Sequence, residues 1–257
     1  MQKLKITAVS YLNTKPLLNG IFHSPIADQI DLQLNIPSVC AQKLKEGSAD
    51  LGLVPVAIIP ELSHPHIISD YCIGTVGAVK TVCIYSQVPI EEVDKIYLDF
   101  HSRTSAALTK VLLKEYWHLS PKLESAQEGY IEHIQGTTAG LVIGDRTIGL
   151  ENRFAYVYDL GEVWQQHTGL PFVFAAWVSN RPLDPDFIEA FNIALKKGLS
   201  LIPQLMYLLP SPAPGFDLEA YFTQHISYEL DAGKRLALQQ FLEAISPASA
   251  LQFQAVA

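Results

Sequence analysis

The sequence predicts an α/β protein of two lobes with a ligand cleft between them. Three observations carry this expectation. Strand-like and helix-like stretches alternate along most of the chain, the order that builds mostly parallel sheets covered by helices. The stretch 67–86 is long, strand-like and punctuated by Gly74 and Gly77, so it can cross from one lobe to the other, and the apolar run 170–178 can carry the chain back. The length, 257 residues, suits two units of about 100–150 residues each. The expected division is a discontinuous first lobe, 1–83 with 177–257, and an inserted α/β lobe, 84–176.

Residues 5–10 alternate apolar and polar side chains as a half-buried strand does. Asn13 or Thr14 can cap the helix that follows, with Pro16 in its first turn, where a missing N–H costs little. A second short strand covers 32–36; Pro37 and Ser38 then open a helix to Glu46 that Gly47 ends. Residues 49–55 return as a buried strand. After the crossing stretch the alternation restarts with a strand at 96–100, helices at 105–117 and about 127–134, and a strand at 140–143. A turn at Gly144, Asp145 and Arg146 leads to a strand at 155–158 and a helix at 160–167. Helices at 184–199, 217–226 and 231–244 each start on an aspartate, which suits a helix N-terminus. Between them 209–215, with Pro210, Pro212 and Pro214, reads as a rigid connector.

Composition narrows the partners. The chain is 49% hydrophobic and 17% charged with a net charge of −8 and no long basic run, which makes nucleic acid and anionic membrane surfaces poor partners. No stretch approaches the roughly 18 apolar residues of a membrane span. The start runs directly into polar residues without the apolar segment of a secretory leader, which reads as a cytoplasmic protein. Cys40, Cys72 and Cys83 match no metal or redox spacing, and His64 and His66 have no third ligand near in sequence. There is no Gly-x-Gly-x-x-Gly, Walker loop or Gly-x-Ser-x-Gly elbow, so no metal or cofactor is expected. Trp164 and Trp177 read as core or cleft wall. The tail 241–253 ends apolar and offers a face for a homodimer.

Ligands of such sheets sit at the carboxyl ends of strands, and in two-lobed proteins between the lobes. That rule gathers Asn13, Ser38, Pro55, Thr81, Ser102–Ser105, Gly144 and Asp145 around one cleft. Ser102, Arg103, Thr104 and Ser105 follow a strand and open a helix, whose N-terminus favours an anion; Arg103 can add a bidentate grip on a carboxylate. The plainer alternatives are that Ser102 or Thr104 only caps the helix, and that Arg103 pairs with Asp99 or Asp145. Asp145 is either a proton acceptor or a turn-forming aspartate after glycine. His101 is either a base or a residue turned away from the site. Asn13 cannot act as a base, but it can position a substrate, or else cap a helix. From the residues alone the chain reads as a two-lobed binder of a small anion, either a plain binder or an enzyme.

Several motifs together resemble one family, the menaquinone-biosynthesis chorismate dehydratases of the futalosine route. They are Val9-Ser-Tyr-Leu-Asn-Thr-Lys-Pro-Leu17, Gly47-Ser-Ala-Asp-Leu-Gly-Leu-Val-Pro55 and Leu98-Asp-Phe-His-Ser-Arg-Thr-Ser105. Leu141-Val-Ile-Gly-Asp145, Tyr158-Asp-Leu-Gly-Glu-Val-Trp164 and Thr168-Gly-Leu-Pro-Phe-Val-Phe-Ala175 follow in order, so the resemblance spans most of the chain to about residue 180. The first block is the most specific; the Gly-x-x-Asp-Leu-Gly piece also occurs in solute-binding proteins generally. The resemblance implies the type II periplasmic-binding-protein fold and dehydration of chorismate to 3-[(1-carboxyvinyl)oxy]benzoate, with no cofactor. The expected catalytic residues are Asn13 and Asp145, and the expected substrate-binding residues are Ser38, Thr81, Ser102, Arg103, Thr104, Ser105 and Gly144. The substrate's own enolpyruvyl carboxylate can take the proton, with Asp145 or His101 as rival base. The competing readings are a non-catalytic intracellular small-anion binding protein and another enzyme of the futalosine pathway.

Overall fold

A computed structural model describes residues 3–246. The alternating N-terminal residues form β1 (Leu4–Val9), whose last four residues are buried. Pro16 sits in the first turn of α1 (Lys15–Phe22), but neither Asn13 nor Thr14 caps that helix with its side chain; Thr14 Oγ1 donates instead to Asn13 Oδ1 at 3.2 Å. Then follow β2 (Ile30–Asn35), α2 (Pro37–Lys45), β3 (Leu51–Pro55) and the ten-residue β4 (His66–Thr75). The second half of the crossing stretch is a separate strand, β5 (Val82–Ser86). Beyond it lie β6 (Lys95–Leu98), α3 (Arg103–Glu115), β7 (Lys122–Ser125), β8 (Thr138–Ile143), β9 (Tyr156–Asp159) and α4 (Leu160–Thr168). The chain returns through β10 (Phe172–Ser179), α5 (Pro185–Ser200), α6 (Ile202–Leu208), α7 (Leu218–Ala220), β11 (Ser227–Glu229) and α8 (Ala232–Ile245).

The strands form two sheets, ordered β11-β4-β10-β3-β1-β2 and β7-β6-β8-β5-β9. Each is mixed rather than mostly parallel. β1 runs parallel to β2 and β3, and β6 to β7 and β8, with α1, α2 and α3 returning the chain between the strands β1–β2, β2–β3 and β6–β7. The strands that enter or leave the crossings, β4, β10 and β5, pair antiparallel, because a chain running straight between sheets has no helix to reverse it. The chain crosses within 76–81 and again within 160–171, so β5 begins one residue before position 83, and β10 four residues before position 176, the ends of the two expected segments.

One carboxylate ties the two crossings. Asp159 caps α4 through Gly161 and Glu162, and it also accepts from the backbone N–H of Val79 at 3.1 Å and Lys80 at 2.7 Å. A Cβ on Gly161 would stand 2.6 Å from the Gly77 carbonyl, so only glycine lets the crossings approach this closely. One apolar cluster runs through both sheets, with Trp164 and Trp177 fully inside it, and a second, around Tyr85, Tyr130, Val142 and Phe154, covers the other face of the second sheet. No helix among the described residues is long and apolar enough to cross a membrane. Of the stretch 241–253 read as a dimer face, residues 241–245 end α8, with Phe241 and Leu242 buried in the core; the part beyond 246 lies outside the described residues.

Candidate active site

The carboxyl ends of β1, β3 and β8 converge with the start of β5 and the first turn of α3 on a narrow cleft, at the strand ends where ligands of such sheets sit. Tyr11 and Asn13 from the β1–α1 loop, Thr81, Ser102, Ser105 and Gly144 line it, with Val9, Ile73, Phe174 and Ala175 as its apolar wall. Its polar groups are neutral: none of the described lining residues carries a charged side chain.

α3 brings its positive end to this cleft. Ser102 caps it: its Oγ accepts from Ser105 N at 3.2 Å and from Ser105 Oγ at 3.2 Å. That oxygen receives both bonds, which leaves the Ser102 proton for a ligand. Residues three apart share a helix face, which is why Ser102 and Ser105 point together. Arg103 and Thr104 lie round the helix from them. Arg103 turns out of the cleft to Glu61, with Nη1 at 3.0 and 3.2 Å from the two carboxylate oxygens, and stays half exposed. In this arrangement the guanidinium faces Glu61 and not the cleft, and it pairs with neither Asp99 nor Asp145. Thr104 is fully buried, and its Oγ1 accepts from Ala57 N at 3.1 Å, which ties α3 to the turn after β3. Ser38 donates its backbone N–H to the His101 carbonyl at 3.0 Å; its neighbour Pro37, not Ser38, lines the cleft.

Asp145 also lies behind the wall. Both carboxylate oxygens accept from Leu12 N at 3.1 Å, which holds the β1–α1 loop to the turn after β8. Burial pushes its carboxyl above the ordinary 3.8, opposed by the Leu12 N–H and by Lys15. In the interval above 3.8 the unfolded chain has released this proton while the folded chain holds it, so stability falls as pH rises through that window. Asp145→Asn keeps an acceptor for Leu12 and removes the titration. Its melting temperature between about pH 4 and 7 is expected to fall less steeply than that of the parent; parallel curves would show that another group sets the slope.

Gly144 has a positive φ of 65°, and a Cβ there would meet the Tyr11 ring at 2.7 Å. The tyrosine thus packs directly on the glycine backbone. Its hydroxyl lies 2.5 Å from His101 Nδ1, and the two rings are nearly parallel. Burial raises the Tyr11 phenol and lowers the His101 imidazole, which favours a protonated tyrosine donating to a neutral histidine. Beneath them the buried carboxylate of Asp99 accepts from His101 N at 2.8 Å, Tyr130 Oη at 2.9 Å, Ile143 N at 3.1 Å and the Arg146 guanidinium.

Three tyrosines of the site carried no expectation of their own. Tyr11 stands inside the most specific motif and was legible there. Tyr221 Oη lies 3.0 Å from Thr81 Oγ1, and Tyr228 Oη donates to the Asn13 carbonyl at 2.9 Å. Both come from the C-terminal segment, where no motif points to them.

The profile of the family described as menaquinone biosynthesis matches residues 4–247. The chain belongs to that family. A relative described as chorismate dehydratase, from Thermus thermophilus, is 30% identical over 224 residues, covering 77% of this chain and 81% of its own. The fold is shared more widely. An X-ray structure of an Archaeoglobus fulgidus protein superimposes with a TM-score of 0.70 at 13% identity, over 96% of this chain and 97% of that one. A Candida albicans protein described as having the generic periplasmic binding protein fold superimposes with a TM-score of 0.60 at 11% identity, over 98% and 92%. The menaquinone-biosynthesis chain is thus an α/β protein with the periplasmic-binding-protein architecture.

Proposed function

We propose that this member of the menaquinone-biosynthesis family dehydrates chorismate to 3-[(1-carboxyvinyl)oxy]benzoate, and that it does so in the cytoplasm. The observation that carries the reading is the cleft itself, a pocket of neutral donors set against the N-terminus of α3. Chorismate brings two carboxylates. The ring carboxylate suits the helix N-terminus with the Ser102 and Ser105 hydroxyls, and the enolpyruvyl carboxylate suits the Asn13 amide. Thr81 and Gly144 line the remaining wall.

The chemistry fits donors without charge. Breaking the C3–H bond sends its electron pair through the adjacent alkene toward the ring carboxylate, where preorganised donors and the helix dipole stabilise it. The pair returns to form the C3–C4 double bond as the C4–O bond breaks. The ring becomes aromatic, and the departing hydroxide takes the abstracted proton as water. The substrate's enolpyruvyl carboxylate can serve as the base, since it reaches the C3 proton through a six-membered ring. A neutral amide orients such a carboxylate and leaves it basic, whereas an arginine would hold it in its charged form and weaken it. Asp145 already receives Leu12 N on both oxygens, and His101 is engaged with Tyr11, so each is poorly placed to compete.

Incubating the purified chain with chorismate alone and following product mass tests this. Loss of one water with growth of an aromatic ultraviolet band is expected. Consumption no faster than in a protein-free control would sink the assignment, and tight binding without loss would leave a small-anion binder.

A further inference from the structure

Among the described residues two besides glycine have a positive φ, Lys80 at 67° and His118 at 55°. A side chain with a Cβ crowds that backbone, which persists only where its surroundings hold it. His118 lies in the turn that ends α3, where left-handed residues are common. Lys80 ends no helix; it lies in the crossing at 76–81, and its side chain is exposed. Its N–H donates to Asp159 Oδ2 at 2.7 Å. The other carboxylate oxygen, Oδ1, accepts from Val79 N at 3.1 Å and from Gly161 N and Glu162 N at 3.0 and 3.2 Å at the start of α4. The two oxygens thus act on different segments. Oδ1 caps α4 and grips Val79, while Oδ2 holds Lys80, with the Cys83 thiol 3.9 Å away.

Thr81 follows directly. It is 2% exposed and lines the cleft, whereas Lys80 does not. The Thr81 carbonyl accepts from Gly144 N at 2.8 Å, and its Oγ1 lies 3.0 Å from Tyr221 Oη. One partner stands just past the end of β8 in the second sheet, the other in the segment that leads to β11 in the first. Returning Lys80 to the negative φ of an ordinary residue would turn the chain there through more than a right angle. Thr81 could not then keep both partners.

We propose that Asp159 is a positioning residue for the dehydration, which through the Lys80 N–H holds a strained backbone and so sets Thr81 in the wall of the cleft. This rests on the chorismate reading above. Asp159→Ser keeps a hydroxyl to cap α4 and removes the oxygen that reaches Lys80. It is expected to lower kcat/KM roughly 10-fold with KM raised, because a displaced cleft wall weakens binding. Lys80→Gly supplies a residue that adopts a positive φ without crowding. In that background Asp159→Ser should lower kcat/KM by less than about 3-fold. The same loss in both backgrounds, or a fall in kcat with KM unchanged, would overturn the proposal. Asp159 would then act through the cap of α4 or the amount of folded enzyme. Lys80→Val leaves Asp159 and its bonds in place, but a β-branched side chain resists a positive φ more strongly than lysine. It too should raise KM, and an unchanged KM there would overturn the proposal even if Asp159→Ser failed to fold.

A second readout needs no turnover. An N–H bonded to a buried carboxylate is protected from exchange with solvent deuterium. The Lys80 amide should therefore exchange faster in Asp159→Ser than in the parent. The Thr81 methyl resonance should shift with that substitution, and shift less when Lys80→Gly is already present. An unchanged Lys80 exchange rate or an unmoved Thr81 methyl would overturn the proposal whatever the kinetics. If the parent chain leaves chorismate intact while both respond, the activity assignment fails and the hold of Asp159 on Thr81 stands.

Discussion

Asn13→Ala is expected to reduce turnover of chorismate by about 100- to 1,000-fold, the usual loss when one preorganised donor to a reacting anion is removed. The substitution should be mild for the fold. The Asn13 backbone carbonyl, gripped by Tyr228, is retained, and the side chain gives up its hydrogen bond with the Thr14 hydroxyl. That is a loss of about 1–2 kcal/mol of stability, too little to unfold the chain. The comparison that decides the mechanism is with Asp145→Asn and His101→Gln. Asp145 lies behind the wall on the Leu12 N–H, and His101 is spent on Tyr11, so both variants should lose far less of kcat than Asn13→Ala. Following the aromatic product by absorbance under saturating chorismate gives kcat for each. Full activity in Asn13→Ala with loss in either of the others would transfer the proton to that side chain and end the substrate-assisted reading.

Local signals in the chain reach some of these features and stop short of others. Strong periodicity and acidic caps placed the long elements: Asp184, Asp217 and Asp231 do accept from the first-turn N–H groups of the segments they open. The segment at 217–226 is nonetheless one short α-turn followed by a π-turn, a difference of hydrogen-bond register that side-chain spacing does not encode. The helix expected at about 127–134 is a single 3-10 turn, Tyr130–His133, between Gly129 and Gly136, whose positive φ angles break it on both sides. β7 escaped notice because Lys122 and Glu124 make it read as surface; it is a sheet edge, where charge is normal. In the cleft, strand ends and helix starts are local, so Asn13, Thr81, Ser102, Ser105 and Gly144 could be gathered from loops alone. Arg103 could not be judged that way. Its direction depends on Glu61, forty-two positions earlier, and nothing in a Ser-Arg-Thr-Ser run reveals which neighbour will face it.

Asp99→Ala should be the most damaging change to stability near the cleft, at about 3–5 kcal/mol. The side chain is wholly buried, and all four of its partners donate: two backbone N–H groups, the Tyr130 hydroxyl and the Arg146 guanidinium. Alanine would leave those donors facing one another around a void, with a cation among them that retains only partial access to water. Tyr130 can fall back on the Leu141 carbonyl; Arg146 has Phe100 beneath it but, among the described residues, no second carboxylate partner and no partner for its Nε. Asp99→Asn should do almost as badly, since its NH₂ group would point at donors on one side whichever way the amide turns. For a chain of this length the melting temperature should drop by on the order of 10 °C in either variant. The effect reaches the chemistry as well. Asp99 holds His101, and through it Tyr11; by way of Ile143 and Arg146 it also holds the turn that carries Gly144. At temperatures where Asp99→Asn is still folded, kcat should therefore fall with it. A variant that melted within about 2 °C of the parent would mean that the donors find new acceptors, and that the loop carrying His101 is held by Ser38 and Tyr11 without help from Asp99.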